Sequence, residues 1–478
     1  MSAHIHQPQR DRNLRTWRVA PLAFAAMLAW SPTKAETQPT FTEFKGTTPV
    51  RETTFAMRVP TNWNGTVISD LDFASATGAR ATLFMYLLDK GYATVGMARR
   101  ADRALHYDSS REITDAITVL DIFETKFGKP KRVIQMGISG GGHLALLMAE
   151  NQPNRIDGAI AECAHGPIWQ ANSDMDLWFS LRALLGRNDL VVANLPLDTK
   201  QVVADWKLAL QNAQATPEGR ARIALAYTIA QYPTWVDPSG AVTPARPEPN
   251  VHDSVALEKD MYEGILGSLA MQFAPLRLMY EQATPGGLSW NTDVDYRAFY
   301  KNADPLQKSA VDALYKAAGL KVAKDISTIN ESPRVKADPK ALKFWSSPGR
   351  MYVGKPKVPV MRIHTSGDPL ALSTLVQGYD AAVKRNGFEA LYRTAFVHNA
   401  GHCSFSVAEA AAAVETIQRR LDTGVWGRTD PEAMNALAVS LVPNDPARFF
   451  QFNQLVYNRA WFASVPDYLS GGSGERDR

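Results

Sequence analysis

The sequence predicts an α/β fold: a mostly parallel central sheet flanked by helices, with a large, mainly helical insertion. Three observations point to it. Buried-type strand runs alternate with amphipathic helices at the spacing of βαβ units through residues 53–163, and again through 358–421. A Gly-Ile-Ser-Gly-Gly turn, residues 137–141, joins an apolar strand to an apolar helix. Between the two alternating stretches, residues 166–352 are helical in pattern and rich in aromatics, with no clear run of buried strands.

The elements follow in order. Residues 53–59 and 66–73 read as strands, separated by the turn Asn62-Trp63-Asn64-Gly65. Residues 79–90 repeat Leu83, Phe84, Leu87 and Leu88 at helical spacing and stop at Gly91. A buried strand spans 92–97. A helix spans 112–127, with Ser109-Ser110 as its cap and Gly128 and Pro130 as its stop. The strand 133–136, the serine turn and its helix come next, then a strand at 156–163. After the insertion, 358–364 is a strand, 373–386 a helix, 391–397 a strand and 406–421 an alanine-rich helix.

Strand, tight turn with a serine, helix: this is the nucleophile elbow of the α/β-hydrolase fold. The turn holds the serine in a strained conformation, so that its hydroxyl stands clear at the carboxyl end of the sheet, where open α/β sheets bind ligands. Strand and helix then cross so closely that the positions two before and two after the serine must be very small, which Gly137 and Gly141 satisfy. Ser139 is therefore the candidate nucleophile.

A serine needs a base, and the base an orienting acid, in the chain order serine, acid, histidine. Of the nine histidines, His398 and His402 lie after the resumed sheet in the expected place, and His364 falls inside a strand as a core residue. His402, in the loop Asn399-Ala-Gly-His-Cys, is the better placed as base. Asp368 in Gly367-Asp368-Pro369 follows a strand and is the candidate acid, although a turn-capping aspartate would suit the same sequence. The oxyanion would take the Gly140 N–H at the helix start and a second N–H, assigned to Phe73. An acid at Asp72 is unfavourable beside a developing oxyanion, so its side chain points away or meets substrate. His165, just before the insertion, and Trp169 and Trp178 at its start are the further expected substrate contacts, while most of the insertion's aromatics build its own core.

Bulk properties bound the rest. The chain has 478 residues and is 45% apolar, enough for a large core. Residues 1–35 combine Arg10, Arg12, Arg15 and Arg18 with the apolar stretch 19–30, and end on Thr33 and Ala35, as an export signal does. That apolar stretch is shorter than the roughly 20 residues that span a bilayer, so no membrane span is expected after cleavage. Residues 1–35 hold five Lys/Arg and one Asp, a net +4 that equals the charge of the whole chain. The remainder is neutral, which gives no support for nucleic-acid binding. No His/Cys/Asp cluster has ligand spacing, so neither a metal nor an organic cofactor is implied. Two cysteines, Cys163 and Cys403, suit one disulfide in an exported protein.

The serine elbow, Gly-Asp-Pro and Gly-His-Cys, with Val59-Pro-Thr-Asn-Trp-Asn-Gly-Thr66 upstream, resemble a family of secreted bacterial α/β-hydrolases with a large cap, over roughly residues 50–425. The chain is more distantly similar to tannases and feruloyl esterases. Those proteins join a cysteine before the serine to one after the histidine. Here Ile138 occupies the first position, and the resemblance implies that Cys163 pairs with Cys403 instead.

The expected organisation is an export signal (1–35), a first part of the hydrolase core (36–165), a helical cap (166–352), a second part of the core (353–425), and a C-terminal arm with a disordered tail (426–478). The expected function is an exported serine hydrolase that cleaves carboxylic esters, of bulky apolar or aromatic or of polymeric substrates, through an acyl-enzyme. A peptidase or amidase with the same triad is the first alternative, and a binding protein on an inactive hydrolase scaffold the second. The oligomeric state is not legible.

Overall fold

The structure, a computed structural model, describes residues 39–462 except 238 and 240. The expected export signal and the tail beyond 462 lie outside the described residues. Nine strands form one sheet: β1 (Phe41–Thr47), β2 (Thr54–Pro60), β3 (Thr66–Asp70), β4 (Ala93–Met97), β5 (Arg132–Ile138), β6 (Gly158–Glu162), β7 (Val360–Gly367), β8 (Tyr392–Ala400) and β9 (Phe449–Phe450). Their order is β1-β2-β4-β3-β5-β6-β7-β8-β9. From β4 through β8 every pairing is parallel, while β1, β2 and β9 pair antiparallel at the edges. This is the α/β-hydrolase fold.

The central strands are buried along their whole length, as parallel strands covered on both faces must be. One face carries the helices Ser109–Phe127 and Gly140–Asn151, and the other carries Gly78–Asp89, Val407–Thr423 and Pro431–Leu441. Strand β1 was not anticipated: Phe-Thr-Glu-Phe-Lys-Gly-Thr is polar and half exposed, and only its pairing with β2 makes it a strand. The helix Ser109–Phe127 starts three residues earlier than its periodicity indicates. Its cap is Asp108, whose carboxylate accepts from Ser110 N–H at 3.0 Å, and not a serine.

Among the described residues, the segment between β6 and β7 is built of helices, from Pro167–Leu184 to Pro339–Trp345. Pro167–Leu184 is buried on nearly every side, and the helices Pro217–Ile229 and Val322–Glu331 pack against it. Residues Leu269–Leu276 form a π-helical turn containing Pro275, which leads into the helix Arg277–Gln282. The chain re-enters the sheet beside Glu150, whose carboxylate accepts from the Val353, Gly354 and Lys355 amides at 2.8, 2.8 and 2.9 Å. The C-terminal arm returns across the body. Trp461 is buried and stacks on Trp169 at 4.4 Å, and Arg459 pairs with Asp176 at 2.7 Å.

One buried group ties this packing to pH. His143, on the helix after the elbow, is fully buried against Tyr352, and neither ring nitrogen has a hydrogen-bond partner among the described residues. Burial, reinforced by Arg103, holds its pKa down at about 3. The folded protein therefore keeps His143 neutral, whereas the unfolded chain takes up a proton below about pH 6.5. Its contribution is present above that pH and is lost as pH falls. Relative to His143→Leu, wild type is expected to lose about 2 kcal/mol between pH 7 and pH 5, read from urea midpoints of both proteins at each pH. A gap between the two that does not change with pH would contradict the neutral, unpartnered histidine.

Candidate active site

Strand β5 ends at Ile138, and the chain turns at Ser139 with φ 53° and ψ −115° before entering the helix Gly140–Asn151. A non-glycine residue holds such a backbone only where its surroundings over-determine it. Here they do. Ser139 N–H donates to the Glu162 carbonyl at 2.9 Å, and the Ser139 carbonyl accepts from His143 N–H at 2.9 Å. A Cβ on Gly137 would lie 2.4 Å from the Gly141 carbonyl carbon, and one on Gly142 would lie 2.6 Å from the Glu162 carbonyl oxygen. The glycines permit the crossing of strand and helix, and the crossing produces the strained turn.

Beneath the turn, Arg80 forks between two buried carboxylates, Asp70 at the end of β3 and Glu162 at the end of β6. These strands flank β5, so one guanidinium ties together the two neighbours of the elbow. Burial pushes Glu162 up to about 7 in spite of that partner.

Asp368 follows β7 and is buried. Its Oδ1 accepts from the Leu370 and Ala371 amides at 2.9 and 2.8 Å, and its Oδ2 lies 2.8 Å from His402 Nδ1. One carboxylate thus both caps the turn and holds the His402 ring, with Oδ1 also 3.0 Å from Nδ1. With Nδ1–H donated to the carboxylate, the free electron pair of His402 is on Nε2. The loop that carries His402 is held at several points. Gly401 N–H donates to Gly367 O at 2.9 Å, Thr365 Oγ1 to Gly401 O at 2.7 Å, and Asn399 Nδ2 to Ser404 O at 2.7 Å. A Cys163–Cys403 disulfide, with Cα atoms 5.4 Å apart, joins this loop to the end of β6.

The serine and the His402–Asp368 pair are not joined by a hydrogen bond in this structure. Ser139 Oγ lies 3.3 Å from His165 Nε2, whose Nδ1 lies 3.0 Å from Tyr280 Oη. His402 Nε2 instead sits 3.4 Å from Cys403 Sγ. Two histidines thus approach the elbow, and their mutual electrostatic influence adds to the burial that holds His165 well below its ordinary pKa. The position of His165 just beyond β6 was a signal for such a role, since side chains at strand ends on this rim converge on the elbow. Tyr280, far away in the chain, carried no such signal.

On the other side of the elbow, Asp72 N–H donates to Asp70 Oδ1 at 2.7 Å, and the Asp72 carboxylate forms a two-point pair with Arg99. Phe73 is buried at the head of a short 3-10 turn, Phe73–Ser75, with its ring edge-on to Phe84 at 4.9 Å. Trp178 is fully buried against Trp206 and Phe273, and its Nε1 donates to Asp174 at 2.9 Å. Trp169 is enclosed by Trp461 and Phe462 of the C-terminal arm. Neither indole is presented to Ser139: both serve the packing of the cap, as most of its aromatics were expected to. His398 lies on the rim between Trp235 and Phe450, 3.4 Å from Glu248, and His364 is buried with Nε2 at 2.7 Å from the Ala371 carbonyl.

The disulfide spans a sequence separation of 240 residues, for which loop-closure entropy amounts to about 5 kcal/mol. The Cys163→Ala/Cys403→Ala protein is expected to melt well below wild type and to become indifferent to reductant. A wild-type melting curve unchanged by dithiothreitol, with both thiols shown to have been reduced, would contradict this.

No family model matches the sequence. Solved structures to which it is similar include an esterase of Pyrococcus furiosus (12% identity, TM-score 0.36, 80% of this chain and 89% of that one) and feruloyl esterase B of Aspergillus oryzae (12%, 0.37, 81% and 82%). Another is the acylaminoacyl peptidase of Pyrococcus horikoshii (11%, 0.40, 84% and 44%). Against curated proteins the likeness is far stronger: 40% identity over 446 residues, 88% of this chain and 97% of the other, to the o-phthalyl amidase of Xanthobacter agilis. With that identity over nearly the full length of both, the chain belongs to the same family of hydrolases as the o-phthalyl amidase.

Proposed function

We propose that this protein is a serine hydrolase that cleaves amides of a small aromatic acyl group, with Ser139 as nucleophile, His402 as base and Asp368 as its orienting acid. The observations that carry the reading are the strained Ser139 turn at the end of β5 and a histidine, locked to a buried carboxylate, on the loop that the disulfide ties to the end of the neighbouring strand β6. Choosing amide over the ester expected from the sequence rests on the family relationship. The chemistry is common to both.

His402 Nε2 takes the Ser139 proton as Oγ attacks the acyl carbonyl carbon. The resulting oxyanion is held by the Gly140 N–H, at the positive end of its helix, and by the Phe73 N–H. The neighbouring Asp72 N–H is committed to Asp70, which leaves Phe73 as this loop's donor. Protonated His402 then gives its proton to the leaving nitrogen, the C–N bond breaks, and water repeats the sequence on the acyl-enzyme. An ester differs only in releasing an alcohol. The step requires Ser139 Oγ to exchange its His165 contact for His402, a tightening of catalytic hydrogen bonds that substrate binding commonly brings.

A second reading, in which His165 is the base, is favoured by the 3.3 Å contact to Ser139. Its burial argues against it. A histidine held well below neutrality is a weak base, and its other nitrogen faces a phenol and not a carboxylate. We assign His165 to holding the resting hydroxyl. Residues 1–35 we assign to an export signal, in keeping with the disulfide.

Ser139→Ala and His402→Ala are expected to lower kcat at least about 1,000-fold on an aromatic acyl p-nitroanilide, and His165→Ala about tenfold. Fluorophosphonate labelling should vanish in Ser139→Ala and fall sharply in His402→Ala, because the probe reacts through the same base-assisted attack of Oγ. A dead His165→Ala enzyme beside a still active His402→Ala enzyme would transfer the base to His165. A wild type that neither labels nor turns over substrate would favour the binding-protein alternative.

A further inference from the structure

We propose that Cys163, Cys403 and His402 form a zinc site when the disulfide between the two cysteines is reduced. The ion takes the Nε2 lone pair of His402, so the reduced, zinc-loaded protein is inactive and oxidation restores it. The metal site stands on geometry; its effect on turnover rests on the catalytic reading above.

Three donor atoms converge here. One sulfur from each cysteine and a ring nitrogen of His402 lie within 4.8 Å of one another. His402 Nε2 is 3.4 Å from Cys403 Sγ. On a tetrahedral zinc, bonds of about 2.1 Å to nitrogen and about 2.3 Å to sulfur put those two atoms roughly 3.6 Å apart. The Cα atoms of the cysteines are 5.4 Å apart, so after cleavage a rotation about the side-chain bonds opens the two sulfurs around an ion. Cys163 is fully buried, whereas Cys403 and His402 are half-buried and give the ion its way in.

The surroundings of a zinc site are in place as well. A metal-bound histidine commonly gives its other N–H to a carboxylate, which fixes the ring and raises its basicity. Asp368 holds His402 Nδ1 in this way, at 2.8 Å, and leaves Nε2 to bind. Two thiolates and an imidazole favour zinc over the harder magnesium or calcium. Neither cysteine depends on the disulfide alone for its place. Gly401 N–H, Thr365 Oγ1 and Asn399 Nδ2 fasten the His402 loop, and Cys163 N–H donates to the Ile363 carbonyl at 3.0 Å. The cysteines are separated by 240 residues, so no ligand spacing in the sequence announces the site.

The reductant is a phosphine or a dithiol. The S–S bond gains two electrons and two protons and becomes two thiols, while the phosphine becomes its oxide or the dithiol a cyclic disulfide. Zinc then displaces both thiol protons and binds two thiolates and the neutral imidazole, with its remaining position left to solvent. With the Nε2 lone pair on the metal, Ser139 has no base for its proton. A disulfide oxidant reverses the sequence: the S–S bond forms again and the ion is released.

The test uses the full chain, reduced with a phosphine and desalted without oxygen, beside the oxidised protein. Cobalt(II) and zinc(II) are the probes. Reduced wild type is expected to bind about one cobalt per chain, with thiolate-to-cobalt charge transfer in the near ultraviolet and the strong visible bands of a four-coordinate ion. Oxidised wild type should show neither, and zinc should abolish both in the reduced protein. Charge transfer should be lost in Cys163→Ser/Cys403→Ser, and should persist in His402→Ala with affinity lower by at least about tenfold. The reduced wild type is informative without any substitution. Zinc should raise its melting temperature by at least about 5 °C, whereas an ion held only by unfolded chains would lower it. Zinc should also lower kcat/KM and fluorophosphonate labelling of the reduced enzyme at least about tenfold and leave the oxidised enzyme unchanged. Reduced protein, with both thiols counted, that shows no charge transfer or whose melting zinc does not raise would overturn the site. Cobalt bound with turnover undiminished by zinc would remove His402 Nε2 as a ligand, and the proposal with it. Oxidised enzyme that neither labels nor turns over, beside reduced protein that binds cobalt as described, would keep the site and remove the catalytic reading.

Discussion

The close crossing of β5 and the helix Gly140–Asn151 is the constraint on which the site depends. With no room for a Cβ at Gly137, the backbone can leave the strand and enter the helix within a single residue, and Ser139 takes the left-handed conformation that results. A side chain at Gly137 or Gly142 would meet backbone, which cannot move aside as a flexible side chain could. Strain of this kind persists only if the ends of the neighbouring strands do not yield. Arg80 serves that purpose by holding Asp70 and Glu162 on either side of β5. A buried ion network of this type adds little net stability, because desolvation offsets most of the attraction, but it has one low-energy arrangement. Its effect is to define geometry under a residue that needs it.

The sheet frame and the Ser139, Asp368 and His402 positions were legible because their signals are local. An elbow needs glycines at fixed offsets from its serine, an acid after a strand end sits in a turn with Gly and Pro, and the histidine loop precedes a capped helix. Each fits within about ten residues. Strand β1 was not legible: its sequence is polar and half exposed, and its strand character comes from β2 beside it. Trp169 and Trp178 show the opposite error. Aromatic residues near a site look like substrate contacts, yet a cap inserted between two strands must build an apolar interior of its own, and these two indoles belong to it. Arg99, Arg103 and Tyr280 had no signal at all, since what matters about them is which distant residue they meet.

The arrangement of the two histidines follows from how the cap is inserted. His165 stands on the segment by which the chain leaves β6 for the cap, two residues before Pro167 begins the central cap helix. Tyr280, which orients it, belongs to the short helix after the π-turn and returns from the far part of the cap. The contact to Ser139 at rest is therefore made by cap residues, while His402 and Asp368 belong to the sheet. Cap and sheet are also bound to each other at the acid loop, where the Gln170 side-chain amide donates to the Leu370 carbonyl two residues after Asp368.

The electrostatics of the two sides differ in a way that suits this division. His165 is sealed in, and desolvation keeps it neutral, so it carries one proton between its two nitrogens and can bridge a phenol and a hydroxyl without introducing charge. His402 keeps some exposure and leans on a buried carboxylate that already accepts two backbone amides. In the proposed mechanism His402 becomes a cation during turnover, and such a group is best placed where an anion is fixed beside it and the solvent is near. A group that only aligns a hydroxyl is best placed where it cannot become charged. The same elbow region thus meets one histidine that burial keeps neutral and one whose ring is held by a fixed carboxylate.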